Sequence, residues 1–186
     1  METGVRLRPA VPADAPTLHR WDEEPHVLAS DPNDDWQWDI ELARSPPWRE
    51  QLIAELHSAP VGFVEIIDPR QEESHYWGND VAPDLRALDI WIGEPDARGQ
   101  GHGETMMRLG ISACFENPAV TAIVIDPLAS NTRAHAFYQR LGFKPVERRM
   151  FGADDTLVHK LTREDWSKLS RSAPQNRTLN QETSRP

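Results

Sequence analysis

The stretch Ala97-Arg98-Gly99-Gln100-Gly101-His102-Gly103-Glu104 decides how this chain is read. Three glycines at alternate positions follow an apolar run, Leu88 to Ile92, and open a segment of helical periodicity from about His102 to Glu116. A strand that passes through a glycine turn into a helix leaves several N–H groups without backbone partners, all pointing one way. Such an end attracts anions, phosphates above all, because the helix dipole adds to the exposed donors. Glycine lets the anion approach the backbone and tolerates positive φ. The loop alone is equally compatible with ordinary turn chemistry, so its neighbours decide.

Immediately upstream, Arg86 to Ile92 alternates. Leu88, Ile90 and Ile92 share one face, and Ala87, Asp89 and Trp91 the other. A carboxylate in mid-strand needs a partner, water or a task. Downstream, Met106, Met107, Leu109, Gly110, Ala113 and Cys114 mark the buried side of the helix, which Asn117-Pro118 stops. Val120 to Ile125 reads as a buried strand ended by Asp126-Pro127. Asn131 is placed to cap a second helix through about Leu141, with Ala134, Phe137 and Tyr138 at helical spacing and Gly142 as its stop. Lys144 to Phe151 and Thr156 to Leu161 form a hairpin around residues 152–155.

Toward the N-terminus, Val5 to Arg8 reads as a first strand, and Asp14 caps a helix through about Glu24 with Leu18 and Trp21 on one face. Pro25 ends that helix or begins another. Residues 31–38 form a polar loop in which Asp34 and Asp35 could face a cation beside a flat wall of Trp36 or Trp38. The same loop also suits an exposed acidic segment with its tryptophans in the core. Glu50 to Leu56 and Val61 to Ile67 make a first hairpin. Residues 71–84, with Tyr76 and Trp77, form a long connection of the kind that often binds ligands. The order β-α-(α)-β-β-β-α-β-α-β-β predicts an α/β (α+β) fold with one mixed sheet and helices on its faces.

A chain of 186 residues suits one domain, here residues 1–166. From residue 167 onward only Leu169, Ala173 and Leu179 are apolar, which predicts a flexible polar C-terminal tail, 167–186. The net charge is −10, and the tail is itself net +3, so residues 1–166 carry −13. That excess argues against nucleic acid as a partner and fits a cationic small molecule, or a merely soluble surface. The single cysteine, Cys114, excludes a disulfide framework and reads as a buried apolar position. The seven histidines show no metal-ligand spacing, so no metal is expected. No apolar run suggests a membrane span or a leader, and a cytoplasmic location is expected.

Taken together these residues resemble the GNAT superfamily of N-acetyltransferases, whose acetyl-CoA loop has the pattern Arg/Gln-x-x-Gly-x-Gly/Ala after a strand. Arg98-Gly99-Gln100-Gly101-His102-Gly103 fits it, and so does a second feature, Asn131 opening the next helix with Ala134, Tyr138 and a closing Leu141-Gly142-Phe143. The stretches Tyr76-Trp77-Gly78 through Asp89, Phe115 to Val120, Ile125-Asp126-Pro127 and Ser130 to Ala134 narrow the likeness to aminoglycoside 6′-N-acetyltransferases. The likeness spans roughly residues 5 to 165. It extends to enzymes acylating lysine-derived siderophore precursors or protein N-termini. Ile90-Trp91-Ile92 departs from the polar residues that antibiotic-modifying members often have there.

The resemblance implies a mostly antiparallel sheet and direct attack of an amine on the thioester of acetyl-CoA. N–H groups from Gly99, Gln100, Gly101, His102, Gly103 and Glu104, with Arg98, would hold the pyrophosphate. The backbone of Ile90, Trp91 and Ile92 would pair with the pantetheine arm, with Asn131 and Ala134 completing the cofactor site. An ammonium with pKa near ~10 must lose a proton, and an ordinary carboxylate near ~4 is a weak base unless burial or a second acid raises it. Asp126 is the expected base or amine-orienting group, directly or through water, and Asp89 a second carboxylate on the amine. Tyr138 is the expected donor to the leaving thiolate. The acceptor site would comprise Asp34, Asp35, Trp36, Tyr76, Trp77, Asp89 and Asp126. The expected activity is acetylation of a cationic amine, an aminoglycoside at its 6′-amine first. The alternatives are a lysine-derived or protein amine, and a CoA-binding module without turnover.

Overall fold

A computed structural model describes residues 4–33 and 35–172. Seven strands form one sheet: β1 (Val5–Pro9), β2 (Arg49–Leu56), β3 (Ala59–Ile67), β4 (Leu85–Ile92), β5 (Ala122–Ile125), β6 (Lys144–Phe151) and β7 (Asp154–Thr162). Their order is β1-β2-β3-β4-β5-β7-β6. Every neighbouring pair is antiparallel except β4 and β5, which run parallel. The helices are α1 (Ala15–Asp22), α2 (Pro25–Leu28), α3 (Trp38–Glu41), α4 (His102–Glu116), α5 (Thr132–Arg140) and α6 (Arg163–Ser172).

The alternation in β4 sorts side chains as expected. Leu88, Ile90 and Ile92 face a core that includes Met106, Met107 and Ile111 of α4. Trp91 faces the other side, toward Trp21, Trp38 and Phe63, and Ala87 meets Val124, Phe151 and Val158. Asp89 therefore lies on the face that carries two apolar clusters. Gly62 and Gly93 allow this packing, since an added Cβ would strike the Trp91 carbonyl and the Trp21 ring respectively.

The first hairpin turns on His57 and Ser58, both at positive φ. A two-residue turn of that twist suits antiparallel strands even without glycine. Burial pushes the Cys114 thiol up to about 12, in keeping with an apolar role.

Five local expectations are corrected. Asp14 does not cap α1 with its side chain; it accepts two bonds from Arg8, each 2.7 Å, and the Val11 N–H. The paired guanidinium holds its carboxyl below the usual range. Helix α1 stops at Asp22, and Pro25 begins α2, where a missing N–H costs nothing. Trp38 opens α3 rather than ending a loop, and its fully buried ring belongs to the core. On α4, Leu109 is exposed, whereas Ile111 and Phe115 are buried. Beyond Trp166 the chain does not begin as a loose tail: α6 continues to Ser172 with Leu169 packed over Gly142. The rest of that segment lies outside the described residues.

Candidate active site

The site is made by a divergence in the sheet. Strands β4 and β5 pair over Leu85↔Ala122, Arg86↔Ile123 and Ala87↔Val124, and among the described residues their ladder ends there. The cause lies in the segment after β5. Pro127 offers no N–H, its carbonyl accepts from Leu157, and Leu128 bridges Thr156, so the chain follows β7 away from β4. Gly93 donates to the Val61 carbonyl opposite it. By alternation Trp91 and Asp89 also point their backbone groups at β3, and Leu88, Ile90 and Ile92 point theirs into the opening. His26 of α2 meets one of these, the Ile92 carbonyl, at 2.7 Å.

The opening belongs to a cavity of about 1150 Å³. Its lining divides by charge. The loop before α4 and helix α5 contribute Arg98, Arg133 and Arg140. The sheet, α1 and the loops on its other side contribute Asp22, Asp31, Glu65, Glu72, Asp89, Asp126 and Asp154, with Arg49 beside Glu65 as the cation among them.

At the first end, Gly99 and Gly101 adopt φ of 74° and 86°, and an added Cβ on either would meet nothing within 4 Å. Gly101 is the N-cap of α4, and the first turn closes with Glu104 and Thr105 donating to its carbonyl. The N–H groups just ahead are the donors a helix start leaves available. Arg98, Gly99, Gly101, Gly103 and Glu104 line the cavity. Gln100 and His102 do not: the Gln100 amide turns back to the Asp96 carbonyl. Glu104 is paired with Arg108 at 2.8 Å, which offsets its charge beside an anion site. Asn131 caps α5, its side chain accepting from the Ala134 N–H at 3.1 Å, and both residues line the cavity.

At the other end, Asp89 and Asp126 stand two residues beyond the Ala87↔Val124 pair on the same face of adjacent strands. Glu65 lies opposite Asp89 on β3 and Gln51 opposite Glu65 on β2, so the polar row runs Gln51, Glu65, Asp89, Asp126. Glu65 is 3% exposed; Gln51 donates to it at 3.1 Å, and Arg49 stands 3.6 Å away. The Tyr76 hydroxyl donates to Asp126 Oδ2 at 2.6 Å. Tyr138 is half-buried against Phe143 and His159. Burial first, then the charges of Asp89 and Asp126, push its hydroxyl upward, so it stays protonated and a donor.

The expected acceptor residues divide. Trp36 lines the cavity and stacks on Trp38 with ring centres 5.1 Å apart, so Trp36 is the available wall. Tyr76 and Trp77 line it too. Asp35 does not: it is exposed and accepts the Gln37 N–H. Asp34 lies outside the described residues. Trp91 lines the cavity, but its backbone faces β3 and so does not offer the groups expected to meet the pantetheine arm, while its ring completes the aromatic cluster with Trp36 and Phe63. Glu65 and His26 were missed by the sequence reading. The acid between Val64 and Ile66 carried the same signal as Asp89, a charge amid strand apolars, whereas nothing local to His26 announces its carbonyl partner. Among the described residues no three or more His, Cys, Asp or Glu gather to hold a metal ion, and no helix is long and apolar enough to cross a membrane.

Known proteins share the chain's family and fold. A family model described as an acetyltransferase (GNAT) domain matches residues 10–151. An aminoglycoside N(6′)-acetyltransferase type 1 of Klebsiella pneumoniae is 29% identical over 92 residues, covering 50% of this chain and 46% of that protein. A kanamycin resistance protein of Rhizobium radiobacter is 32% identical over 73 residues, 39% of this chain and 68% of that protein. The match thus spans about half the length of the first of these curated relatives. In fold, the chain resembles aminoglycoside acetyltransferase AAC(6′)-Ib solved with coenzyme A and kanamycin. The TM-score is 0.79 at 22% identity, covering 89% of this chain and 99% of that one. An aminoglycoside N(6′)-acetyltransferase from Legionella pneumophila gives a TM-score of 0.71 at 21% identity, covering 91% and 98%.

Proposed function

Because the chain belongs to the GNAT acetyltransferase family, we propose that it transfers the acetyl group of acetyl-CoA to a primary amine of a polycationic small molecule, first of all the 6′-amine of an aminoglycoside. The observation that carries this reading is the division of one cavity into a cationic, N–H-rich end and a carboxylate-lined end, meeting where β4 and β5 part. An anionic donor and a cationic acceptor have opposite needs, and the two ends match them. The relatives named above include an aminoglycoside N(6′)-acetyltransferase and a kanamycin resistance protein, which supports the choice of acceptor.

In this reading the N–H groups before Glu104, with Arg98, hold the pyrophosphate. The outward backbone groups of Leu88 and Ile90 take the pantetheine amides as a neighbouring strand would. Asp89 and Glu65 draw the ammonium into the opening, and Asp126 accepts its proton, directly or through a water. The amine nitrogen then forms a bond to the thioester carbonyl carbon and gives up its second proton to water, the C–S bond breaks, and Tyr138 meets the departing thiolate with its O–H. A thiol near ~8.5 is a better leaving acid than Tyr138, so the hydroxyl serves as a hydrogen-bond donor with net protonation from solvent.

An acceptor panel tests the reading: aminoglycosides with a 6′-amine, their 6′-hydroxyl counterparts, lysine-type amines and peptides, each with acetyl-CoA. Release of CoA confined to the 6′-amine compounds is expected. Release only with lysine-type amines or peptides transfers the assignment to those acceptors, and binding of acetyl-CoA without any release marks a binding module.

A further inference from the structure

The connection between β3 and β4 brings a tyrosine onto the carboxylate expected to act as base, although Tyr76 is far from Asp126 in sequence. Four side chains, Glu72, Phe151, Arg149 and Trp77, fix its position. The buried Glu72 carboxylate accepts the N–H of Ser74 at 3.0 Å and of Tyr76 at 2.8 Å, and the Ser74 hydroxyl as well, which sets the loop backbone. The Tyr76 ring stacks on Phe151 with centres 4.3 Å apart and planes 7° from parallel. Arg149 lies over the Phe151 ring at 4.5 Å and donates to the Trp77 carbonyl at 2.9 Å. Trp77 packs edge-on against the same ring. The hydroxyl so placed donates to Asp126 Oδ2 at 2.6 Å.

We propose that Tyr76 is a positioning residue for Asp126: its hydroxyl fixes the rotamer of that carboxylate and favours its ionised form, directing the remaining acceptor capacity at the incoming amine. This rests on the acetyltransfer reading above for its consequence, although the contact itself does not. A donor to the charged form of an acid favours that form. Burial, and then Asp126, Asp89 and Asp31, push the Tyr76 hydroxyl upward, which keeps it a donor. Among the described residues, the titratable groups around the pair include Asp31 after α2, Glu72 beneath the loop, Asp89 on β4 and Tyr138 on α5.

The chain has two tyrosines, so a 13Cζ-tyrosine label gives two signals, assigned with Tyr138→Phe. The Tyr76 signal is expected to follow a carboxylate titration in the wild type and to lose that response in Asp126→Asn. A Tyr76 signal indifferent to Asp126→Asn overturns the proposal whether or not the protein turns over any amine. Tyr76→Phe keeps the stack on Phe151 and removes only the hydroxyl. Its kcat is expected to fall about tenfold with the KM for acetyl-CoA unchanged. The acidic limb of its kcat/KM profile for the amine should move about 0.5–1 pH unit upward, since the lost donor leaves the carboxylate easier to protonate. An unmoved limb in an active Tyr76→Phe also overturns it. A wild type that acetylates nothing sinks the assigned function instead, with the labelled signal still deciding the contact.

Discussion

Asp89 on β4 and Asp126, the residue just past the end of β5, occupy equivalent places, each two residues beyond the last cross-strand pair, Ala87 and Val124. Parallel strands in register put such residues side by side on one face. Here the strands have begun to part, so the two carboxylates flank an opening. Replacing Asp126 with Asn is expected to lower kcat about 10²-fold or more while leaving acetyl-CoA affinity within a factor of two or so, the profile of a lost proton acceptor. Asp89→Asn should mainly raise the KM for the amine. Equal kcat in the wild type and Asp126→Asn would remove Asp126 from the chemistry.

Tyr138 is expected to act through its O–H alone. Tyr138→Phe preserves the ring packing on Phe143 and His159, so thermal stability should change little while kcat falls about 10²-fold. Steady-state kinetics beside a melting curve separate the two. A variant that loses both together would mean that the hydroxyl supports the fold rather than the departing thiolate.

The glycine loop makes a prediction in which cofactor binding and fold respond differently. A methyl at Gly101 touches no protein atom, but the φ of 86° costs an L-residue about 1 kcal/mol, and the methyl projects where the pyrophosphate is expected. Gly101→Ala should raise the KM for acetyl-CoA roughly tenfold, with little change in the amine KM. Titration calorimetry with CoA checks it without turnover.

Below Tyr138, His135 and His159 stack with ring centres 5.1 Å apart. His159 Nδ1 donates to the Leu157 carbonyl, leaving a buried Nε2 without a partner among the described residues. Burial, aided by His135, lowers the His159 pKa below its ordinary value. The unfolded chain therefore takes up the proton first as pH falls. Stability from the neutral ring is intact above pH ~6.5 and is lost as pH drops from there through the folded value. The melting temperature should decline across that window, and His159→Met should flatten the decline. An identical pH dependence in the variant would contradict this.

Much of this arrangement was legible in the chain. The alternation around Asp89 placed it on the face opposite α4, and Asn131 capped α5 as its position suggests, because both features depend on neighbours within a few residues. What failed depended on distant partners. Asp14 had the type and place of a cap but met Arg8 across a turn, and a bidentate guanidinium outbids a single N–H. Helix α6 carries little apolar content, and Leu169 becomes useful only because Gly142 leaves it room. Tyr76 was expected at the acceptor site, yet its bond to Asp126 depends on how the loop after β3 folds back over Phe151. Glu65, an acid between Val64 and Ile66, joins the site only through the β3–β4 register that sets it opposite Asp89.

The most direct test of the central claim is thiol release from acetyl-CoA by the purified protein with and without kanamycin, with mass analysis of the kanamycin. The account predicts kanamycin-dependent CoA release, one acetyl group gained per thiol freed, and the group located on the 6′-amine. Thiol release that ignores kanamycin, or acetyl-CoA bound and left intact in its presence, would contradict it.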